Sequence, residues 1–246
     1  MNLIQPEIFK QHHAVNAFFS ESNRQIIHPD NKVQGLNLGI NTIDEPKTIE
    51  KNTNALFNHL NWNSDHFAYA GQIHGNHVQI VEKPGFYKNT DGLVTQKTDI
   101  ALGILVADCA AVLVADPVHK VIGAFHAGWK GTAGGIIVKG IKKMISLSAS
   151  AEHFFVYISP CISLQNFEVG EEVAVQFPDK FVDRKSFTKP HVDLKGAIAH
   201  QFIAAGVPGQ QVNISAECTM QNRRFYSYRR EGKEAGRMLG LIKLEP

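Results

Sequence analysis

The sequence predicts an α+β fold in which mixed β-sheets form a sandwich-like core flanked by helices. Three observations lead to this prediction: apolar strand-like runs outnumber helical patterns, several of these runs follow one another directly, and no repeat or linker divides the 246 residues. Strands that follow one another without an intervening helix disfavour a doubly wound sheet, which needs strict alternation. We therefore expect one domain over residues 1–246.

Runs rich in aliphatic and aromatic residues, separated by turn residues, predict seven strands. These runs cover residues 66–74, 77–82, 100–107, 110–116, 120–127, 153–159 and 210–217. Two polar stretches that contain prolines, 28–52 and 178–192, have no such pattern. We expect both of these stretches to be loops.

Apolar residues at helical spacing predict three helices between the strands. The first begins at Thr132, whose hydroxyl is a suitable N-cap, and ends near Ser146. The second lies near 168–177, and the third spans 193–205 with Asp193 as its cap. The N-terminus of the first helix carries unpaired backbone N–H groups and the positive end of the helix dipole, so it is a candidate site for an anion such as phosphate.

Composition and charge exclude several classes of protein. Apolar residues make up 43% and charged residues 20% of the chain, as in soluble globular proteins. The net charge of +2 includes no polybasic block, so we expect neither a nucleic-acid nor a membrane partner. The first residues, "MNLIQPEIFKQHH", lack a basic region followed by an apolar core, so we expect no signal peptide, and no apolar run approaches the ~20 residues that span a bilayer. Three dispersed cysteines without a CxxC pair fit a reducing compartment, so the predicted location is cytoplasmic.

The stretch "GAFHAGWKGTAGG", residues 123–135, places His126 after an apolar strand and among small residues. Glycine and alanine leave space for a ligand beside the histidine, although a tight turn alone also explains such a cluster. Cys109 and His74 likewise lie at the ends of apolar runs, next to small residues or a turn. A buried inert thiol and a solvated turn histidine are the simpler interpretations of these two residues.

Together, His74, Cys109 and His126 allow a different interpretation. If the strand ends converge, the chain presents two imidazoles and one thiolate. Three such ligands with a fourth position left to water describe a catalytic zinc site. The spacings of 35 and 17 residues match no local zinc motif, so the sequence alone leaves both interpretations open.

Six motifs in order resemble the YfiH family, also called the laccase-domain or multicopper polyphenol oxidase family. They read "GQIHGNHV", "TDGLVT", "VADCAAVLVADP", "GAFHAGWKGTAGGI", "SPCISLQNFEVGEEV" and "RFYSYRREGKEAGRMLGLIKL", between residues 71 and 244. The resemblance implies that His74, Cys109 and His126 are metal ligands. It also implies a zinc-dependent enzyme, with Cu²⁺ as the alternative ion, that cleaves adenosine, inosine and methylthioadenosine with phosphate and deaminates adenosine.

The implied activity assigns roles to further residues. Cys109 and His126 belong to the catalytic centre, and Asp108 is the nearest candidate for the acid/base carboxylate of deamination. Arg229 and Arg230 are candidates for the phosphate site, because a guanidinium matches phosphate. Two further substrate-binding candidates follow His126 directly, namely Trp129 and Lys130; family members usually carry arginine at the lysine position. The partners implied are a purine nucleoside and phosphate, bound by a monomer or a homodimer.

Other functions remain open at this stage. One is a cytoplasmic amidase that removes misincorporated serine from the peptidoglycan precursor UDP-MurNAc-Ser, and a related one uses Cys109 and His126 as a nucleophilic pair. A copper polyphenol oxidase is disfavoured, because the remaining histidines include no His-x-His pair for an oxygen-reducing cluster. A non-enzymatic binding module around Trp129 is the last alternative. Two motifs depart from the usual family pattern: "GPCIG" is replaced by "SPCIS" and "CTYC" by "CTMQ" in this chain. These changes put the substrate preference in doubt and leave the three implied ligands in place.

Overall fold

Two six-stranded mixed sheets form the core of the computed structural model, which describes residues 1–26 and 31–245. The first sheet contains, in spatial order, β1 (Leu3–Ile4), β2 (Val15–Ser20), β14 (Met238–Leu244), β7 (Ala101–Val106), β3 (Phe67–Gly71) and β5 (Gly85–Lys88). The strand β3 runs parallel to both of its neighbours, and the other pairs are antiparallel. The last strand, β14, therefore lies in the middle of this sheet.

The second sheet contains, in spatial order, β13 (Val212–Ile214), β10 (Phe155–Ile158), β8 (Ala110–Asp116), β9 (Val121–Ala127), β6 (Gly92–Thr95) and β4 (Val78–Ile80). Its two outer pairs are parallel and its central pairs antiparallel. A separate short pair joins β11 (Val182–Asp183) to β12 (His191–Val192). All seven predicted strands are present, each within or equal to its predicted limits.

The two sheets pack face to face through alternate residues of their central strands. Leu102 and Ile104 of β7 belong to one buried cluster with Leu113 of β8 and Ile122 of β9. At Gly240 of β14 the sheets approach so closely that a Cβ there would lie 2.7 Å from Cβ of Ala111. The predicted sandwich-like arrangement is therefore confirmed.

Helices cover the outer faces of both sheets. The helix α2 (Pro46–Leu60) buries Leu56 and Phe57 against the first sheet. The helices α4 (Ile136–Ile145) and α6 (Leu194–Ala204) cover the second sheet. Four shorter helices are α1 (Glu7–Lys10), α3 (Trp129–Ala133), α5 (Glu171–Ala174) and α7 (Tyr228–Glu231). The predicted α+β class is confirmed, and no described helix is both long and apolar enough to cross a bilayer.

The helix predictions are confirmed only in part. Asp193 caps α6 as expected, since its carboxylate accepts a hydrogen bond of 3.0 Å from the amide of Gly196. The helix expected to begin at Thr132 begins instead at Trp129 and breaks at Gly135, whose φ of +77° favours glycine. Thr132 therefore caps no helix, and the helix N-terminus named as a candidate anion site lies at Trp129 instead; anion binding there stays a prediction.

The loop prediction for residues 28–52 is wrong from Pro46 onward, because α2 begins there. Pro46 occupies the first turn of that helix, where a missing amide costs no hydrogen bond. Residues 28–30 of the same prediction lie outside the described part of the chain. Residues 178–192 are irregular apart from the short pair β11–β12 and one turn of 3-10 helix.

Candidate metal centre

The side chains of His74, Cys109 and His126 come together at one edge of the sandwich. His74 follows β3 of the first sheet, Cys109 lies in the connection from β7 to β8, and His126 belongs to β9 of the second sheet. One ligand atom from each residue lies within 4.8 Å of the other two. The two imidazole rings meet edge to face, with 4.8 Å between their centroids and 80° between their planes. The strand ends therefore converge as the sequence suggests.

Asp91 holds two of the three side chains in place, and sequence analysis gave it no role. Its Oδ1 accepts hydrogen bonds from Nδ1 of His126 at 2.8 Å and from the amide of His74 at 2.9 Å. Its Oδ2 accepts from the amides of Gly75 at 2.8 Å and Ile73 at 3.3 Å. A carboxylate bonded to one ring nitrogen is the usual partner of a metal-binding histidine, because it leaves the other nitrogen free for the ion.

The donor set fits a zinc ion. Two imidazole nitrogens and one thiolate are ligands that zinc prefers, and three protein ligands are typical of its catalytic sites. Asp91, fully buried beside His126, supplies a further negative charge. Burial raises the pKa of Asp91, but the hydrogen bond and charge of His126 outweigh burial and hold this pKa below its usual range.

The charged forms of Cys109 and His126, a thiolate and an imidazolium, stabilise each other as an ion pair. Burial raises the pKa of the Cys109 thiol, but the charge of His126 and hydrogen bonds from His126 and His74 outweigh it and lower the pKa to about 6. Burial lowers the pKa of His126, whereas the Cys109 thiolate and the Asp91 carboxylate raise it to about 9. The thiolate that a metal needs is therefore already present at neutral pH.

This ion pair predicts an unusual pH profile for alkylation of Cys109. Above a pKa of about 6 the thiol is ionised, so the rate of reaction of the chelator-treated protein with iodoacetamide should be flat between pH 7 and 9. Below pH 6 the rate should fall about tenfold per pH unit, because only the thiolate reacts. Mass spectrometry of the peptide containing Cys109 gives the rate, which is compared with that of a free thiol in the same reaction. A rate that climbs through pH 8.5, as for an ordinary cysteine, would contradict the ion pair.

Gly128 leaves room for the thiolate. A Cβ at this position would lie 2.7 Å from Sγ of Cys109 and 3.6 Å from Cδ2 of His74. The φ of −83° is open to any residue, so glycine is required here by space and not by backbone conformation. A side chain at position 128 would displace the metal ligands themselves. Glycine at this position therefore keeps the space that Cys109 and His74 occupy.

The three side chains lie in an open cavity of about 510 Å³ between the two sheets and the loops that join them. Its wall includes Trp129, Phe167 and the arginines Arg229 and Arg237. Trp129 is half-buried and packs partly against the apolar cluster under α4 and α6, so it is both a core residue and a wall of the cavity. Lys130 is exposed, outside the lining, with its ammonium 5.4 Å from the Trp129 ring.

The two adjacent arginines of α7 have different surroundings. Arg229 lines the cavity, and its Nη2 donates to the carbonyl of Glu168 at 3.0 Å. Arg230 donates from Nη1 to the carbonyls of Thr219 and Met220, each at 2.7 Å, and from Nη2 to that of Phe225 at 2.7 Å. Arg230 also pairs with Glu231, so its guanidinium is fully engaged within the protein and lies outside the cavity lining.

Arg237 is a cavity residue that sequence analysis missed. Its Nη1 donates to the carbonyls of Ala235 and Gly236 at 2.6 and 3.0 Å, and no carboxylate among the described residues pairs with it. Burial lowers the pKa of this arginine, because its positive charge is partly removed from water. At Gly39 a Cβ would lie 2.4 Å from Cγ of Arg237, so glycine lets the arginine pass beneath the loop.

Asp108 connects the metal centre to α7. Its Oδ1 accepts from the hydroxyl of Thr219 at 2.6 Å, and its Oδ2 accepts from the amide of Arg229 at 2.6 Å and the hydroxyl of Ser227 at 3.1 Å. Asp108 has a φ of +80° and His74 a φ of +60°, which are left-handed conformations of the kind found at functional sites. These hydrogen bonds make Asp108 an anchor for the segment that carries Arg229.

Fold and site together define an α+β protein with a cavity between two sheets that contains a His–Cys–His cluster able to hold a metal ion. The sequence profile of the family described as "Multi-copper polyphenol oxidoreductase laccase" matches residues 17–245. The chain belongs to this family.

Several known proteins are similar to the chain. A purine nucleoside phosphorylase of Deinococcus radiodurans is 38% identical over 215 residues, which cover 85% of this chain and 82% of that protein. A protein of Streptomyces griseus named purine nucleoside phosphorylase ORF3 is 32% identical over 218 residues, which cover 85% and 87%. The crystal structure of the hypothetical protein YfiH of Bacillus licheniformis superimposes with a TM-score of 0.90 at 26% identity, over 99% of this chain and 96% of that one.

Proposed function

We propose that this protein is a zinc-dependent purine nucleoside phosphorylase. The observation that carries the proposal is a single cavity that joins a His–Cys–His metal centre to two arginines with no carboxylate partner among the described residues. Relatives more than 30% identical over most of the chain bear that name, which supports the same substrates, a purine nucleoside and phosphate. Phosphorolysis joins a phosphate oxygen to C1′ of the ribose and releases the purine.

In this proposal, Arg229 and Arg237 bind the phosphate. Guanidinium groups match phosphate oxygens in geometry and charge, and hydrogen bonds between charged groups are the strongest available. The aromatic wall, Trp129 and Phe167, binds the flat purine. His74, Cys109 and His126 hold the zinc ion, which when bound supplies a Lewis acid and a water of lowered pKa. The exposed Lys130 and the internally engaged Arg230 have no direct role in this arrangement.

Adenosine deamination is the second activity that we propose for the same cavity, and its support is narrower. Deamination needs a carboxylate to move protons at the base. Among the described lining residues Asp108 is the one carboxylate, and three hydrogen bonds already engage it. We therefore expect phosphorolysis to be the faster reaction.

Substitution of the two cavity arginines tests the phosphate site. Arg229→Met and Arg237→Met should each raise the KM for phosphate about tenfold or more, since hydrogen bonds between charged groups contribute about 1.5–3 kcal/mol. Zinc content should not change. Arg224→Met is the matched control, because Arg224 pairs with Glu217 at the surface, outside the cavity. An unchanged KM in both cavity variants would contradict the site.

A substrate screen separates the proposed function from the amidase. Adenosine, inosine, methylthioadenosine and UDP-MurNAc-Ser are each incubated with the zinc-loaded protein, with and without phosphate. Phosphate-dependent release of purine supports the phosphorylase. Release of serine without any release of purine would overturn it in favour of the amidase. Metal analysis of the protein as isolated identifies the bound ion and separates zinc from copper.

A further inference from the structure

A second group of metal-binding side chains lies at the opposite end of β8 from Cys109. Asp116 ends this strand, His119 lies in the turn to β9, and His153 ends the 3-10 segment Ala151–His153 that precedes β10. One ligand atom from each of the three lies within 4.8 Å of the other two. Since β8 has seven residues, the group lies about 20 Å from Cys109, outside the cavity described above.

Asp116 repeats the contact that Asp91 makes in the first centre. Its carboxylate is fully buried, and Oδ2 lies 2.8 Å from Nδ1 of His119, the same distance as between Asp91 and His126. Backbone amides of Val118, His119 and Ser150 also donate to the carboxylate at 2.8–3.0 Å. These bonds fix an ionised carboxylate beside the ring of His119, which leaves Nε2 of that ring for another partner.

His153 supplies the unsatisfied polar atom of the group. Its Nδ1 is buried and has no hydrogen-bond partner among the described residues. A buried polar atom without a partner is costly, and native structures rarely contain one. The ring lies 5.4 Å from that of His119, at 35° between the planes. A metal ion bound to Nδ1 would satisfy this nitrogen.

We propose that Asp116, His119 and His153 form a second metal site that binds a divalent transition-metal ion such as zinc. Imidazole nitrogens select zinc and its neighbours over magnesium and calcium, which prefer oxygen ligands. The Asp116 carboxylate contributes the negative charge. The site contains no sulfur, so it binds zinc less tightly than the centre with Cys109.

The second site ties together two segments that are distant in sequence. The turn between β8 and β9 carries His119, and the segment after α4 carries His153, so a bound ion would fasten that segment to the second sheet. The site has no lining residue in common with the cavity, so we assign it a role in stability and not in catalysis.

Zinc stoichiometry tests the proposal. Protein stripped with a chelator is dialysed against buffered zinc, and bound metal is measured by plasma mass spectrometry. The unaltered protein should bind two equivalents, Cys109→Ala one, and the double variant Cys109→Ala/His153→Gln none. The double variant Cys109→Ala/His119→Gln removes the second site through a different ligand and should also bind none. His59→Gln, which changes an exposed histidine of α2, is the matched control and should keep both equivalents.

Thermal unfolding gives a second readout. Zinc should raise the unfolding temperature of Cys109→Ala but not that of Cys109→Ala/His153→Gln, since an ion bound only by the folded state stabilises it. Two results would each overturn the proposal. One is that Cys109→Ala binds no zinc. The other is that Cys109→Ala/His119→Gln and Cys109→Ala/His153→Gln both still bind one equivalent. Neither result bears on the proposed phosphorylase, whose test is the release of purine.

Discussion

Cys109→Ala should lower the zinc affinity of the cavity centre by more than about 100-fold and abolish turnover. Loss of a group that only orients a ligand costs about 10- to 100-fold, and Cys109 provides the ligand with the greatest charge donation. The zinc affinity is measured by competition with a chelator, in the His153→Gln background so that one site is observed. Turnover of adenosine with phosphate is measured in parallel.

The control for this variant is Cys218→Ser. Cys218 is also a free thiol, and its Sγ accepts a hydrogen bond of 3.3 Å from the amide of Ser163, which a hydroxyl can replace. Cys218→Ser should bind zinc with the affinity of its parent. One equivalent of zinc held by Cys109→Ala/His153→Gln at the parental affinity would show that the thiolate is no ligand.

The second large effect is expected for Asp91→Asn. The carboxylate accepts four hydrogen bonds, from Nδ1 of His126 and from the amides of Ile73, His74 and Gly75. The asparagine side chain has an NH2 group in place of one carboxylate oxygen, and this group accepts no hydrogen bond. At least one buried donor therefore loses its partner, which costs about 1–3 kcal/mol in the free energy of unfolding. Zinc affinity should fall about 10- to 100-fold, because both histidines lose their orientation.

Chelator competition and thermal unfolding, each with Asp99→Asn as the matched control, measure these two effects. Asp99 is exposed and its carboxylate makes no hydrogen bond to the described residues, so Asp99→Asn should behave as the unaltered protein. Zinc affinity unchanged in Asp91→Asn would mean that the carboxylate supports the loop and not the metal.

The convergence of His74, Cys109 and His126 could be predicted from the sequence because the three residues share one local property. Each lies at or near the end of a long apolar run, and such runs are the strongest sequence signal for strands. Asp91 has no such signal: it stands in a polar turn before the four-residue strand β6, and only its contacts across the fold give it a role. Long-range hydrogen bonds of this kind leave no periodicity in a sequence.

The arginines show a different limit of prediction. Adjacent residues of a helix point about 100° apart, and of these two arginines Arg229 lines the cavity while Arg230 bonds to backbone carbonyls. Arg237 joins Arg229 there because the backbone turns between α7 and β14, at residues that carry no helical or strand pattern. Gly134 and Gly135 together are a turn signal, but the apolar periodicity continues across them, so the sequence predicts one helix where the structure has two.

The position of β14 determines when this protein can complete its fold. This strand pairs with β2 near the start of the chain and with β7, so the first sheet has a gap at its centre until residues 238–244 have been synthesised. Contacts of such long range form late and slow the folding reaction. Arg237 directly precedes the strand, so the part of the cavity wall that Arg237 forms is completed only when β14 pairs. Until β14 pairs, the facing edges of β2 and β7 are open, and such exposed edges are where aggregation would begin.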